Sequence, residues 1–316
     1  SLRVHPWWHG WHHGPAVGNG LGVSPCRCAR GGRGSPFAFM NAWHTPTDPL
    51  IHRLKAMTPH YRHGCAVALV LAIFATPVHA ALPDEIQVYT DDINEPGERG
   101  LELHLNTTPK NAAPTSYAGE VSNLHGVRVT PEFSYGLTRT TDVGLYVPTV
   151  LSSDGRYELA GLKMRFKWLP IQSQDTGGFF AGVNFELGQV QQKYAESRRG
   201  GEVRNILGWR STNWLIAVNP IFEFDASPGF SHTPSLEIGT KINRRINEHL
   251  SIGWERYHDR GPYNHALPYA EQGRTNYVVL DYEGPDFDVN FGIGKGNYPV
   301  TDQWTVKTVI GYSFGK

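Results

Sequence analysis

Leu162-Lys163-Met164-Arg165-Phe166-Lys167-Trp168 alternates four apolar side chains with three cations. In a β-strand, successive side chains point to opposite faces of the sheet. One face of this stretch is therefore apolar and the other strongly cationic. A soluble sheet tolerates one such strand with its charges in water. Here similar strands recur down to the last residues of the chain. Their apolar faces together form a band too large for one small core, which is the pattern of a transmembrane β-barrel.

About twelve strands read this way. Leu101, Leu103 and Leu105 alternate with Glu102 and His104, and Val127, Val129, Phe133 and Tyr135 with Arg128, Thr130 and Glu132. Val143, Leu145 and Val147 precede the opening stretch, and Phe179, Ala181, Val183, Phe185 and Leu187 oppose Asn184 and Glu186. Leu207 and Trp209 face away from Arg204 and Arg210, and Trp214, Ile216, Val218, Phe222 and Phe224 from Asn219 and Glu223. Leu236, Ile238 and Ile242 oppose Glu237 and Lys241, while Leu250, Ile252 and Trp254 oppose Glu255 and Tyr257. Val278, Leu280 and Tyr282 flank Asp281, and Phe287, Val289, Phe291 and Ile293 alternate with Asp288 and Asn290. The last strand sets Trp304, Val306, Ile310, Tyr312 and Phe314 against Lys307 and Ser313.

The polar face carries full charges in mid-strand. Each would cost several kcal/mol in a dry core unless paired. A wet or densely ion-paired lumen accommodates them. The expected lumen lining is Glu102, His104, Arg128, Glu132, Lys163, Arg165, Lys167, Asn184, Glu186, Arg204, Arg210, Glu223, Glu237, Lys241, Glu255, Asp281, Asp288 and Lys307.

Connections between these strands alternate in length. Long ones include Thr107 to Leu124 and His258 to Gly273; short ones include Arg210-Ser211-Thr212-Asn213 and Glu283-Gly284-Pro285-Asp286. Outer-membrane barrels keep short turns on the periplasmic side and longer loops outside. Both termini are then expected in the periplasm, with an even number of strands. Trp168, Trp209, Trp214, Trp254 and Trp304 are the expected interface aromatics, since amphipathic rings mark the lipid–water boundary. Ordinary core aromatics near turns are the other reading.

The first 80 of the 316 residues are of a different kind. Residues 1–56 are rich in Gly, Pro, His and Trp, as in Trp7-Trp8-His9-Gly10-Trp11-His12-His13, and show no period. They read as a non-native or disordered leader, upstream of a true start at Met57; a metal-binding His tract is the alternative. From Met57, a mildly basic stretch (His60, Arg62, His63) leads into the apolar run Cys65 to Thr76, then Pro77-Val78-His79-Ala80. That is the three-part pattern of a signal peptide cut after Ala80. The apolar run is shorter than the roughly 20 residues a spanning helix needs.

Export to the outer membrane of a Gram-negative bacterium follows from this reading. All three cysteines (Cys26, Cys28, Cys65) lie before the cut, so the exported chain carries no disulfide framework. Of 29 basic and 29 acidic residues, 22 and 28 follow residue 80, a net charge of −6. Such a balance gives no support for nucleic-acid binding. The expected organisation is leader 1–56, signal peptide 57–80, a periplasmic or lumenal segment 81–97, and a barrel over 98–316.

Val306-Lys307-Thr308-Val309-Ile310-Gly311-Tyr312-Ser313-Phe314 resembles the terminal strand of bacterial outer-membrane proteins, which the barrel-assembly machinery reads. Tyr312 and Phe314 would carry that signal; Gly315 and Lys316 follow it here. Further matches are Asp84-Glu85-Ile86-Gln87-Val88-Tyr89, Leu101-Glu102-Leu103-His104, Pro131-Glu132-Phe133-Ser134-Tyr135-Gly136, Gly182-Val183-Asn184-Phe185-Glu186, and Trp214 with Asn219-Pro220-Ile221. With these the chain resembles a family of proteobacterial outer-membrane β-barrels without a settled substrate. It is similar in type to the channel proteins grouped with the MetA pathway of phenol degradation. The resemblance implies a barrel, and implies transport only loosely.

Two functions fit the lumen. Lys163, Arg165 and Lys167 could line a narrow channel for passive uptake of small polar or anionic solutes. The same cations could instead be partners in a closed, ion-paired structural barrel. Twelve strands lie between barrels filled by side chains and wide porins. The acidic segment Leu82 to Gly97, with Asp84, Glu85, Asp91, Asp92 and Glu95, could fold into the lumen against the basic ladder.

A lipid-modifying enzyme is the weaker alternative. His104, His232 and His258, with Ser231 and Asp259 nearby, are its candidates, and no G-x-S-x-G elbow occurs. No cofactor is expected. The six histidines after residue 80 show no metal-ligand spacing along the chain. A soluble periplasmic β-protein is the structural alternative; the barrel reading makes the lipid bilayer the partner.

Overall fold

A computed structural model describes residues 85–314 except 175, 226 and 230–232. The expected leader, the signal peptide, residues 81–84, Ser231-His232 and Gly315-Lys316 lie outside the described residues. Period-two sequence becomes strand throughout: β1 (Arg99–Lys110), β2 (Val127–Thr138), β3 (Thr141–Tyr146), β4 (Thr149–Leu151), β5 (Tyr157–Leu159), β6 (Gly161–Ile171) and β7 (Gly178–Val190). Then come β8 (Arg199–Arg210), β9 (Trp214–Asp225), β10 (Ser235–Arg245), β11 (Leu250–Pro262), β12 (Gly273–Glu283), β13 (Asp288–Gly296) and β14 (Trp304–Phe314). All pairings between them are antiparallel. The last strand returns to the first, Leu101 opposite Tyr312 and Leu103 opposite Ile310, so the wall closes; among the described residues the short β5 pairs on one side only, with β4.

Twelve strands make the wall. β2 pairs with β3 beyond Glu132 and with β4 over Val127 to Val129. β3 and β4 are thus one wall strand broken at Val147-Pro148. Their partners β6 and β5 are another, broken at Ala160, whose N–H bonds the Pro148 carbonyl at 2.7 Å. The hairpin β4–β5 extends the wall beyond the strand end expected at Val147. Pro148 has no N–H to give the ladder, which is why the pattern breaks there.

Connections at one end are 139–140, 172–177, 211–213, 246–249 and 284–287; at the other they are 111–126, 152–156, 191–198, 226–234, 263–272 and 297–303. Both Arg99 and Phe314 lie at the short-turn end, where they pair with each other.

Burial is inverted relative to a soluble protein. Val278 is 63% exposed and Phe133 50%, whereas Lys307 is 0% and Glu255 1% exposed. Apolar side chains so exposed are stable against lipid and costly against water. The outward face of β11, β12 and β13 shows the belt in register: Ile252 opposes Leu280, which opposes Phe291. Leu280→Arg is therefore expected to cost about 2–4 kcal/mol, the penalty for a cation near the bilayer midplane. Reversible unfolding in phospholipid vesicles measures it; an unchanged midpoint would remove Leu280 from the lipid face.

The five tryptophans among the described residues sit on this outward face. Trp214 and Trp209 are at the short-turn end, with the Arg244 guanidinium 5.6 Å from the Trp214 ring. Trp304 is at the long-loop end, with Lys295 Nζ at 5.7 Å from its ring. Trp168 opposes Thr141 and Val183 towards the short-turn end of β6. Trp254 is placed differently from a rim aromatic: it lies between Ile242 and Val278, within the apolar belt. Its distance from a strand end was obscured because β11 runs on through Tyr257 to Pro262. Tyr312 and Phe314 stack at 5.8 Å between ring centroids beside the β1–β14 seam.

Candidate functional site

The candidate site is the lumen, built by the inward residues of every wall strand and by residues 85–97. The latter form no strand before Arg99 and run inside the barrel. The Tyr89 backbone is gripped by one side chain: its N–H donates to Asn219 Oδ1 at 2.6 Å, and its carbonyl accepts from Asn219 Nδ2 at 3.1 Å. Lys307 Nζ donates to the Ile86 carbonyl at 2.9 Å and Arg204 Nη1 to the Gln87 carbonyl at 2.7 Å. Val88 and Tyr89 pack on Leu169, Phe180, Ile206 and Ala217, an apolar inward patch that strand alternation alone had not suggested. Nearer the short-turn end, Gly97 N–H bonds the Gly136 carbonyl at 2.9 Å. A Cβ on Gly136 would stand 2.0 Å from the Glu95 carbonyl oxygen, so only glycine lets this segment lie against β2.

Arg210 fixes the segment at the short-turn mouth, with Nη2 2.5 Å and Nε 3.0 Å from Asp91 Oδ1. Burial pushes the Asp91 carboxyl up, but hydrogen bonds from Arg210 and Ser173 outweigh it and hold the group below the usual carboxylate range.

The cations of β6 lie inside the barrel, and each is met by a carboxylate. Lys163 Nζ is 2.7 Å from Glu186 and 3.7 Å from Glu85. Arg165 Nε meets Glu132 at 2.5 Å while its Nη1 bonds Asp142. Lys167 is 3.5 Å from Asp142. Gly144 makes room for this group, since a Cβ there would come within 2.8 Å of the Arg165 side chain. On the facing wall, Glu255 joins Lys307 at 2.5 Å and Lys241 at 3.3 Å, and Lys241 also reaches Asp281 at 2.8 Å. Asn184 donates to Glu186 at 2.8 Å. The ladder therefore presents little uncompensated positive charge for a passing anion.

Other expected lining residues occupy the two mouths. Arg128 bonds Asn123 at 2.5 Å and lies with Glu223 and Glu237 at the long-loop end. Asp288 is exposed at the short-turn end, with its Cβ on the same side of Gly311 as Glu102. Asp142, Glu202 and Asp259 were absent from the expected set. They share its inward parity, Asp142 on β3, Glu202 on β8 beside Arg204, and Asp259 on β11 beyond Glu255.

Glu102, His104 and Glu132 converge, with ligand-capable atoms all within 4.8 Å of one another. Spacing along the chain could not show this, because Glu132 arrives from the neighbouring strand directly opposite Glu102. His104 Nε2 lies 3.4 Å from Glu132 and 3.7 Å from Glu102, an arrangement that suits an imidazolium between two carboxylates as well as a cation bound by all three. His258 is bound by Gln272 Oε1 at 2.6 Å, with its ring against Tyr269.

At the long-loop end the lumen opens into a vestibule of about 360 Å³. Glu85 and Ile86 form part of its floor, so the segment 85–97 closes the lumen below it.

A closed wall, an apolar outer belt and a charged interior define a transmembrane β-barrel. No family model matches the chain, and no curated protein matches it. Among solved structures, an outer-membrane channel from Pseudomonas putida F1 superposes with a TM-score of 0.51 at 11% identity, covering 73% of this chain and 100% of that one. The KdgM porin in complex with disordered oligogalacturonate gives 0.45 at 11% identity over 68% and 99% of the two chains. The outer-membrane phospholipase A of Escherichia coli gives 0.38 at 10% identity over 70% and 98%. The first of these likenesses agrees with the fold of an outer-membrane β-barrel; at such identity the fold alone is shared.

Proposed function

We propose that this protein is a narrow channel of the Gram-negative outer membrane, passing small polar solutes passively. One observation carries the reading. The vestibule is floored by a non-strand segment, whereas the wall around it is continuous sheet. Segments of that kind can be displaced without breaking the ladder. In this reading the short-turn end faces the periplasm, the signal peptide directs export, and Tyr312 and Phe314 present the closing strand to the assembly machinery. A place among the channels grouped with the MetA pathway of phenol degradation rests on the sequence stretches that resemble them.

The dense ion pairing below the vestibule favours one other reading, a closed structural barrel. Liposome swelling with the purified protein separates the two. Swelling that is fast with arabinose and slower with larger sugars supports the channel. No swelling with any solute supports the closed barrel.

A further inference from the structure

Charge balance fails in one part of the lumen. Below the vestibule the buried carboxylates Glu132, Glu186 and Glu255 each lie against a cation. Along the vestibule wall, Glu202 of β8 stands directly opposite Glu223 of β9, and Glu237 of β10 directly opposite Asp259 of β11. Like charges directly opposite across a ladder destabilise a sheet. Two such pairs on four successive strands concentrate that cost on one wall of a single cavity. Arg204 partners Glu202 at 2.8 Å. Glu223 accepts from Ser235 at 3.4 Å and Asp259 from the Gly261 N–H at 2.8 Å, neither of which brings a positive charge. Glu237 makes no hydrogen bond or ion pair among the described residues.

The floor adds an independent feature. The Glu85 side chain is 2% exposed, and neither of its oxygens makes a hydrogen bond. Lys163 and Arg204 stand off at 3.7 and 3.8 Å. Glu85 is thus ion-paired at long range yet keeps unfilled hydrogen-bond acceptor capacity at the cavity floor, in a lining where carboxylates outnumber the cations Arg128, Lys163 and Arg204. Oxygen-rich, anionic cavities suit hard cations, and low-dielectric walls focus the field that draws them in.

We propose that the vestibule is a binding site for small cations and that the channel passes cations in preference to anions. The second half rests on the channel reading; the first does not. Full-length exported protein in a planar bilayer under a KCl gradient reads the preference. Wild type is expected to show a reversal potential displaced towards potassium, with permeability severalfold above chloride. Glu223→Gln with Glu237→Gln is expected to move it most of the way to zero. These near-isosteric changes remove repulsion, so folding is not at risk. A wild-type reversal at zero or towards chloride, or no shift in the variant, overturns cation preference.

If no current is seen, the channel reading fails and binding still decides the site. Calorimetric titration of the detergent-solubilised protein with Ca²⁺ should show uptake that weakens at least severalfold in the same double variant. No uptake by wild type, or equal uptake by the variant, overturns the cation site.

Discussion

Arg165→Met is expected to destabilise the barrel by about 3–5 kcal/mol, the usual consequence of leaving a buried charge without its partner. Arg165 stands between Glu132 and Asp142, all three nearly or wholly buried. Without the guanidinium, Glu132 keeps His104 at 3.4 Å and Asp142 keeps Lys167 at 3.5 Å, both longer contacts. Methionine fills much of the arginine stem's volume, so the loss is mainly electrostatic. A matched double change tests the cause. Replacing a buried pair together is often close to neutral, so Arg165→Met with Glu132→Gln should recover much of the stability. Unfolding in phospholipid vesicles, followed by tryptophan fluorescence, gives both values. A loss below about 1 kcal/mol in the single variant, the range of exposed pairs, would show that this part of the lumen is wet.

Deleting residues 85–97 is expected to raise single-channel conductance severalfold. The segment fills the lumen beneath the vestibule and is tied to the wall at separate points: Asn219 at Tyr89, Arg210 at Asp91, and Gly136 at Gly97. Its removal leaves Lys163 with Glu186 and Arg204 with Glu202, so the main ion pairs of the wall survive. Asn219→Ala is the milder form of the same experiment, because it removes both hydrogen bonds that grip the Tyr89 backbone. It should give intermediate conductance or frequent brief openings. Unchanged conductance in the deletion would mean that the segment does not limit passage.

Strand parity was legible in the sequence. Leu162, Met164, Phe166 and Trp168 against Lys163, Arg165 and Lys167 is a local pattern, and the pleat converts it directly into outside and inside. Closure was legible from recurrence, and the two ends from loop length. Partner identity was not. Arg165 finds Glu132 and Asp142 only through the register of β2, β3 and β6, which alternation does not specify. The grip of Asn219 on Tyr89 joins residues 130 apart, and an asparagine in a strand carries no mark of it. Phe180 and Ile206 lie on the inward face and are buried there with Val88, a contact that the alternation of their own strands does not specify. The opposition of Glu237 and Asp259 follows from the same register that sets Lys241 opposite Glu255, which parity along one strand does not specify.

In the proposed channel the route across the membrane runs through the vestibule. Thr275 lines it, and all three cysteines of the chain lie within residues 1–65, before the expected signal-peptide cut. Thr275→Cys, reacted with a membrane-impermeant cationic methanethiosulfonate while current is recorded, probes that route. Labelling is expected to abolish most of the current in Thr275→Cys and to leave wild type unaffected. Complete labelling, verified by mass, with no change in current would contradict it.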